Sequence, residues 1–141
     1  MAFTEEMRID CPSTTVFDLM ADARNETRWN GSVSRAELVT DEPIGEGSRF
    51  VVVNRGREDE VTITVFDRPE RLEFAVTSKA MDIDIGYTFA EEDGTTTAVG
   101  NFDARPKGFM KVLLPLLMPV IKRDLAKQHT KFKSLCETQT N

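Results

Sequence analysis

The chain predicts an α+β fold in which a curved, seven-stranded antiparallel sheet wraps around one long C-terminal helix. Three observations carry this expectation. From Val33 onward, apolar and polar residues alternate with a period of two through six successive segments, following one such segment at the N-terminus. The breaks between the six are short, and a parallel pair would need a crossover of a dozen or more residues, so consecutive strands must be antiparallel neighbours. The last third, from Pro106 to Glu137, reads as an amphipathic helix notched by Pro115 and Pro119. A sheet that ends in one such helix must wrap it to bury the helix's apolar stripe, and prolines in the gripped half oppose tight packing there. An internal cavity between sheet and helix is the predicted result.

Element by element, Phe3, Glu5, Met7 and Ile9 alternate with polar neighbours in a first strand that stops at Pro12. Ser13 is suited to an N-cap, and Val16, Phe17, Leu19 and Met20 follow at helical spacing. A second short helix is predicted over Ala23 to Arg28. Strands are predicted at Val33 to Thr40, Ser48 to Asn54, Glu60 to Asp67, Arg71 to Ser78, Asp82 to Ala90 and Thr95 to Asp103. Between them stand turn residues: Pro43-Ile44-Gly45-Glu46-Gly47, Asn54-Arg55-Gly56-Arg57, Arg68-Pro69-Glu70 and Glu92-Asp93-Gly94. The alternation puts Val61, Ile63 and Val65, then Leu72, Phe74 and Val76, then Ile83, Ile85, Tyr87 and Phe89 on one face. Thr62, Thr64, Glu73, Thr77, Asp82 and Asp84 take the other. On the final helix Leu114, Leu117, Met118, Ile121, Leu125, Phe132 and Leu135 form the matching stripe, opposite Lys122, Lys127, Lys131 and Lys133.

At 141 residues the chain is expected to form a single domain, 1–141, with no repeat or linker. A composition 40% hydrophobic and 30% charged is that of an ordinary globular protein, and the net charge of -6 argues against a general nucleic-acid binder. Charge is unevenly spread. Lys107 to Glu137 holds seven basic residues against two acidic ones, net +5, which leaves -11 on the remainder. This reads first as internal electrostatic fit and second as a weak contact surface for an anionic lipid or acidic partner. The N-terminus has no basic region followed by an apolar run, which predicts a cytoplasmic protein. Val112 to Ile121, about ten residues, is far short of the ~20 that a membrane span needs. Cys11 and Cys136 are expected as free thiols, and the protein as a monomer or homodimer.

The order strand, helix pair, six strands and long helix resembles the START-like, SRPBCC superfamily, in particular its polyketide cyclase/dehydrase branch. Cys11-Pro12-Ser13-Thr14-Thr15-Val16-Phe17, Asp22, Trp29-Asn30, Gly45-Glu46-Gly47-Ser48-Arg49-Phe50 and Arg68-Pro69-Glu70-Arg71-Leu72-Glu73-Phe74 carry the resemblance. It implies a helix-grip fold with a hydrophobic cavity between sheet and final helix. Members bind lipids, sterols, polyketides or hormones, some catalyse cyclisation or dehydration, and the family has no fixed catalytic set.

The ligand-binding candidates are therefore the apolar residues that face the expected cavity. The sheet supplies Phe50, Ile63, Phe74 and Ile85, and the helix supplies Leu114, Leu117, Met118, Ile121 and Leu125. Trp29 sits near the expected entrance, as core packing or as a gate. Tyr87 falls among Ile85 and Phe89, so its hydroxyl must find a partner or meet a ligand. Asn101 is a further candidate, although 95–102 alternates too weakly to orient its faces. His129, the sole histidine, lies at the edge of the helix stripe; it reads as a partly exposed surface residue or as an acid or base at the cavity wall. Tyr87 and His129 are the catalytic candidates. Asp82 and Asp84 read as solvated. Gly45 and Gly47 are hairpin glycines, since the third glycine, the lysine and the following helix of a phosphate loop are missing. No metal site and no cofactor are expected, because one histidine and two distant cysteines supply no ligand set. The expected function is a carrier or sensor of a lipid or polyketide-like molecule. The alternatives are a cyclase/dehydratase-type enzyme acting in the same cavity, in which Tyr87 with His129 or a water polarises a carbonyl, and a protein-interaction module.

Overall fold

A computed structural model describes residues 1–139. Strand β1 (Ala2–Ile9) leads into helix α1 (Ser13–Ala21), a single 3-10 turn (Ala23–Asn25) and the one-turn helix α2 (Glu26–Trp29). Six strands follow: β2 (Val33–Leu38), β3 (Arg49–Asn54), β4 (Arg57–Asp67), β5 (Arg71–Thr77), β6 (Met81–Glu92) and β7 (Thr95–Pro106). Helix α3 (Met110–Gln139) follows as the last element of the described residues. Every ladder is antiparallel, and the order β1-β7-β6-β5-β4-β3-β2 makes a meander with β1 returned to the free edge of β7.

Turn chemistry sets the two tightest hairpins. Arg55 and Gly56 have φ of 52° and 77°, and Asp93 and Gly94 have φ of 53° and 79°, the left-handed pair that matches strand twist in a two-residue loop. The β3–β4 tip also reaches the long helix, where the Arg55 guanidinium donates to Asp124 at 3.0 Å. Residues 68–70 turn back toward α1, and Arg68 grips Asp18 through two bonds of 2.7 and 2.8 Å.

The structure corrects four local expectations. The helix N-cap is Pro12 rather than Ser13. Ser13 opens the helix, and its N–H donates to Glu91 Oε1 at 2.6 Å, so a carboxylate from the end of β6 satisfies the helix terminus. Pro106 belongs to β7, and α3 begins only at Met110 after a turn through Gly108 at φ 56°. Val65 does not share a face with Ile63. The register shifts between them, Val65 pairs with Glu73 on the outer side, and Phe66 takes the inward place opposite Leu72, edge-on to Phe17 at 5.0 Å. Pro115 and Pro119 lie exposed on the outward side of α3, which runs through both as one helix. The carbonyls they leave without an N–H partner thus lie on the water side.

The core has two parts. The larger joins α1, α2 and the second half of α3 to the sheet through Phe17, Trp29, Phe50, Ile63, Leu72, Phe89 and Phe132. The smaller packs the first half of α3, through Leu114 and Met118, against Ala104, with Phe3, Ile83 and Ile121 at its margin. The helix makes its closest approaches to β1, β7, α1 and α2 rather than to the middle of the sheet. Cys11 and Cys136 are both buried and free. Among the described residues no helix is long and apolar enough to cross a membrane.

Candidate functional site

Strand β6 carries Tyr87 inward, and α3 carries His129 toward it. The phenol oxygen and His129 Nε2 lie 3.0 Å apart. Both residues are at least 95% buried, so the pair is removed from water. Burial pushes the phenol well above its ordinary pKa, helped by the negative charges of Glu26 and Glu5, and pushes the imidazole down to about 4. At neutral pH the pair is a hydrogen-bonded couple of two uncharged groups. His129 is accordingly not the partly exposed residue that its place on the helix suggested.

An aromatic shell encloses the couple. Tyr87 stacks on Phe89 at 6.0 Å and meets Phe102 edge-on at 5.8 Å, and Phe102 in turn stacks on Phe3 at 5.0 Å. Gly100, on the inward side of β7, leaves the room this needs. A Cβ there would come within 2.8 Å of Tyr87 Cε1 and 2.9 Å of Phe102 Cε2. Gly100→Val should therefore cost about 1–3 kcal/mol of stability by overpacking and push the phenol off His129. Denaturant titration together with the near-ultraviolet tyrosine signal checks this, and an unperturbed variant would show that the shell yields freely.

Helix α2 adds two groups. Trp29 is buried edge-on to Phe132 at 5.3 Å, and its indole Nε1 has no hydrogen-bond partner. Glu26 lies one turn earlier, with its carboxyl held up at about 7 by burial and by the charge of Asp59. Asp59, on the inward side of β4 two residues before Val61, is itself raised by burial. Glu5, inward on β1 opposite Gly100, is half-buried. Glu26, Asp59 and Glu5 were not singled out as site residues from the sequence. Asp59 has a legible signal, since it shares the two-residue register of Val61 and Ile63. Glu26 has only its place three residues before Trp29.

The remaining sequence candidates divide. Phe50, Ile63, Phe74, Leu114 and Met118 are buried, and Ile85, Ile121 and Leu125 are half-buried, all packed in the clusters where sheet and helix face each other, while Leu117 is half-buried. Leu117 belongs to neither packed cluster. Asn101 does not join them. It lies exposed on the outer side of β7 and accepts from Thr4 Oγ1 at 3.0 Å. The inward residues of β7 are Thr96, Ala98, Gly100, Phe102 and Ala104, mostly too small for the alternation to show. Asp82 and Asp84 lie on the outer side, paired with Lys107 at 2.8 Å and Arg105 at 2.6 Å.

A depression of about 640 Å³ crosses the sheet near Thr4, Thr64, Glu73, Gly86 and Asn101, and a second of about 360 Å³ lies against α3 at Arg28, Lys131 and Thr138. Neither is the internal space between sheet and α3 that the sequence predicted. Among the described residues no three metal-ligating side chains converge.

The family model for polyketide cyclase / dehydrase and lipid transport proteins matches residues 1–137. The chain belongs to this family. Solved structures of similar fold include the Zhui aromatase/cyclase from Streptomyces sp. R1128, with 12% identity, a TM-score of 0.80 and coverage of 100% of this chain and 96% of that one. A START superfamily protein from Mycobacterium smegmatis has 9% identity, a TM-score of 0.79 and 98% coverage of both chains. The di-domain ARO/CYC BexL from the BE-7585A biosynthetic pathway has 19% identity and a TM-score of 0.76, and the match covers 97% of this chain and 50% of that one. No curated protein matches the sequence. The helix-grip, START-like architecture expected for this family member is the one observed. At such low identities these neighbours speak to the fold alone.

Proposed function

We propose that this member of the polyketide cyclase/dehydrase and lipid transport family binds an apolar small molecule with one polar end. It would hold a lipid or polyketide-like ligand between the sheet and α3, as a carrier or sensor. The observation that carries this reading is the unpartnered indole N–H of Trp29, buried in the same interior as the uncharged Tyr87–His129 couple. A buried donor left unmade costs about 1–3 kcal/mol, which an acceptor on a ligand would recover. The apolar walls are Phe74 and Ile85 on the sheet, facing Leu117 and Ile121 on the helix. The first half of α3 is packed only by the smaller cluster, so this is the part of the helix that would have to yield to admit a ligand.

Titration with the apolar dye anilinonaphthalene sulfonate tests the site. Ile121→Trp should lower dye affinity at least roughly tenfold by filling the space, with a modest loss of stability. Unchanged binding, or unfolding because the site was already full, would count against it. Tyr87→Phe should weaken binding by about 1 kcal/mol, the scale of one neutral hydrogen bond. Native mass spectrometry of protein from its own source would identify a co-purified ligand.

A specific observation also favours the enzymatic alternative. Glu26, with its carboxyl held up to about 7 by burial and by the charge of Asp59, raises the Tyr87 phenol in turn, and a carboxyl so shifted is suited to acid or base work at neutral pH. A cyclase/dehydratase-type protein should lose roughly 10²-fold or more in turnover on Glu26→Gln with affinity retained. In a carrier, only affinity can change.

A further inference from the structure

The first half of α3 is apolar on both sides. Beneath it, Leu114 and Met118 are buried, but Phe109, Val112 and Leu116 on the outer side are 76%, 69% and 74% exposed, and Val120 is 42% exposed. Their spacing of three, four and four residues runs them along one stripe of the helix and the turn that leads into it, beside the exposed Pro115 and Pro119. The outward face of a helix in a globular protein is ordinarily polar, so this stripe asks for a partner.

Its surroundings are basic. Lys107 and Lys111 stand at the start, Lys122 and Arg123 follow the stripe, and Lys127 and Lys131 continue it along the same side of the helix, while no acidic residue occurs from Met110 to Arg123. Lys107 is held at the margin by Asp82 and the Ser78 carbonyl, and Lys122 lies over the Phe3 ring at 5.3 Å. The first carboxylate on the helix, Asp124, is engaged by Arg55. The outward side of α3 therefore passes lengthwise from apolar to cationic.

We propose that this stripe docks onto an anionic lipid surface, with Phe109, Val112 and Leu116 entering the acyl boundary and Arg123, Lys127 and Lys131 resting among the headgroups. An anionic lipid surface offers both an apolar layer and negative charge, which matches the two ends of this side of the helix. A second copy of the chain fits poorly, because a parallel pairing of two stripes would set their basic ends together, and an antiparallel one would lay Lys127 and Lys131 against the apolar start of the other. The net charge of -6 does not prevent docking: acidic groups farther from the contact than about 8 Å are screened at physiological ionic strength. The proposal does not depend on what the interior binds.

Co-sedimentation with vesicles of phosphatidylcholine and phosphatidylserine in equal parts tests it. Wild-type protein should bind them roughly tenfold more strongly than vesicles of phosphatidylcholine alone, and lose that margin in high salt. The double variant Phe109→Ser, Leu116→Ser should lose roughly tenfold in binding while keeping its melting temperature, since both side chains point to water. Lys127→Glu with Lys131→Glu should weaken binding to the anionic vesicles only. Equal wild-type binding to both vesicle types, or full binding by the serine variant, would overturn the proposal. So would a wild-type dimer in sedimentation that the serine variant dissociates, which would assign the stripe to a second copy.

Discussion

Phe132→Ala should lower the free energy of unfolding by about 3–5 kcal/mol, the range for removing a buried aromatic ring from a core. Phe132 is wholly inaccessible to solvent and meets Trp29 edge-on, so it ties the second half of α3 to α2 and to the larger cluster. The first half of the helix is held by the smaller cluster alone. With the ring gone, the turn that carries His129 loses its anchor, and the Tyr87–His129 bond should loosen with it. Urea denaturation measures the first effect and the histidine ring resonances report the second. A loss below about 1 kcal/mol would mean that the surrounding side chains close the gap and that Phe132 is not the anchor.

The pH dependence of stability should show two buried groups working against each other. His129 has its folded pKa lowered to about 4 from 6.5, so the unfolded chain binds more protons between those values and stability rises with pH across that window. Glu26 has its folded pKa raised to about 7 from 4.5, so the folded chain binds more protons and stability falls as pH climbs from 4.5 to about 7. Asp59, raised by burial as well, adds to the falling side. Each of the first two shifts corresponds to about 3 kcal/mol, with the share of Glu26 the smaller because its side chain keeps some contact with water. Wild-type stability should therefore change little between pH 4.5 and 6.5. Glu26→Gln should uncover a rise with pH of about 2–3 kcal/mol, and His129→Gln a fall of similar size. Denaturant midpoints at a series of pH values check both, and parallel profiles for wild type and variants would show that these groups are not buried against their charges.

The sheet was legible in the sequence because a strand with one dry face needs only local alternation, and Leu72, Phe74 and Val76 or Ile85, Tyr87 and Phe89 state it within five residues. The turn residues Arg55-Gly56 and Asp93-Gly94 likewise announced their hairpins through backbone preference. Alternation fails where the chain breaks its own register. Nothing in Val61 to Asp67 signals that one residue is skipped at Thr64, so Val65 and Phe66 exchange faces. It fails again in β7, where Ala98, Gly100 and Ala104 face inward but are too small to read as core. The tight fit of Tyr87 and Phe102 against Gly100 is the reason for that smallness, and it involves residues from two strands.

By itself, the sequence determined that one long helix must lie across a seven-stranded meander, since the helix stripe and the dry face of the sheet have no other partner of matching length. It also determined that Tyr87 faces inward, because side-chain direction in a strand follows parity. What that hydroxyl meets was decided only by the tertiary structure. The position of His129 over Tyr87 depends on how far α3 slides and turns across β1 and β7, a rigid-body relation between segments more than forty residues apart. The same docking leaves the buried Trp29 indole without a partner and turns Phe109, Val112 and Leu116 outward. Periodicity shows that a helix has an apolar side, but a segment apolar all round, as in Val112 to Ile121, has two, and only packing selects which one is covered.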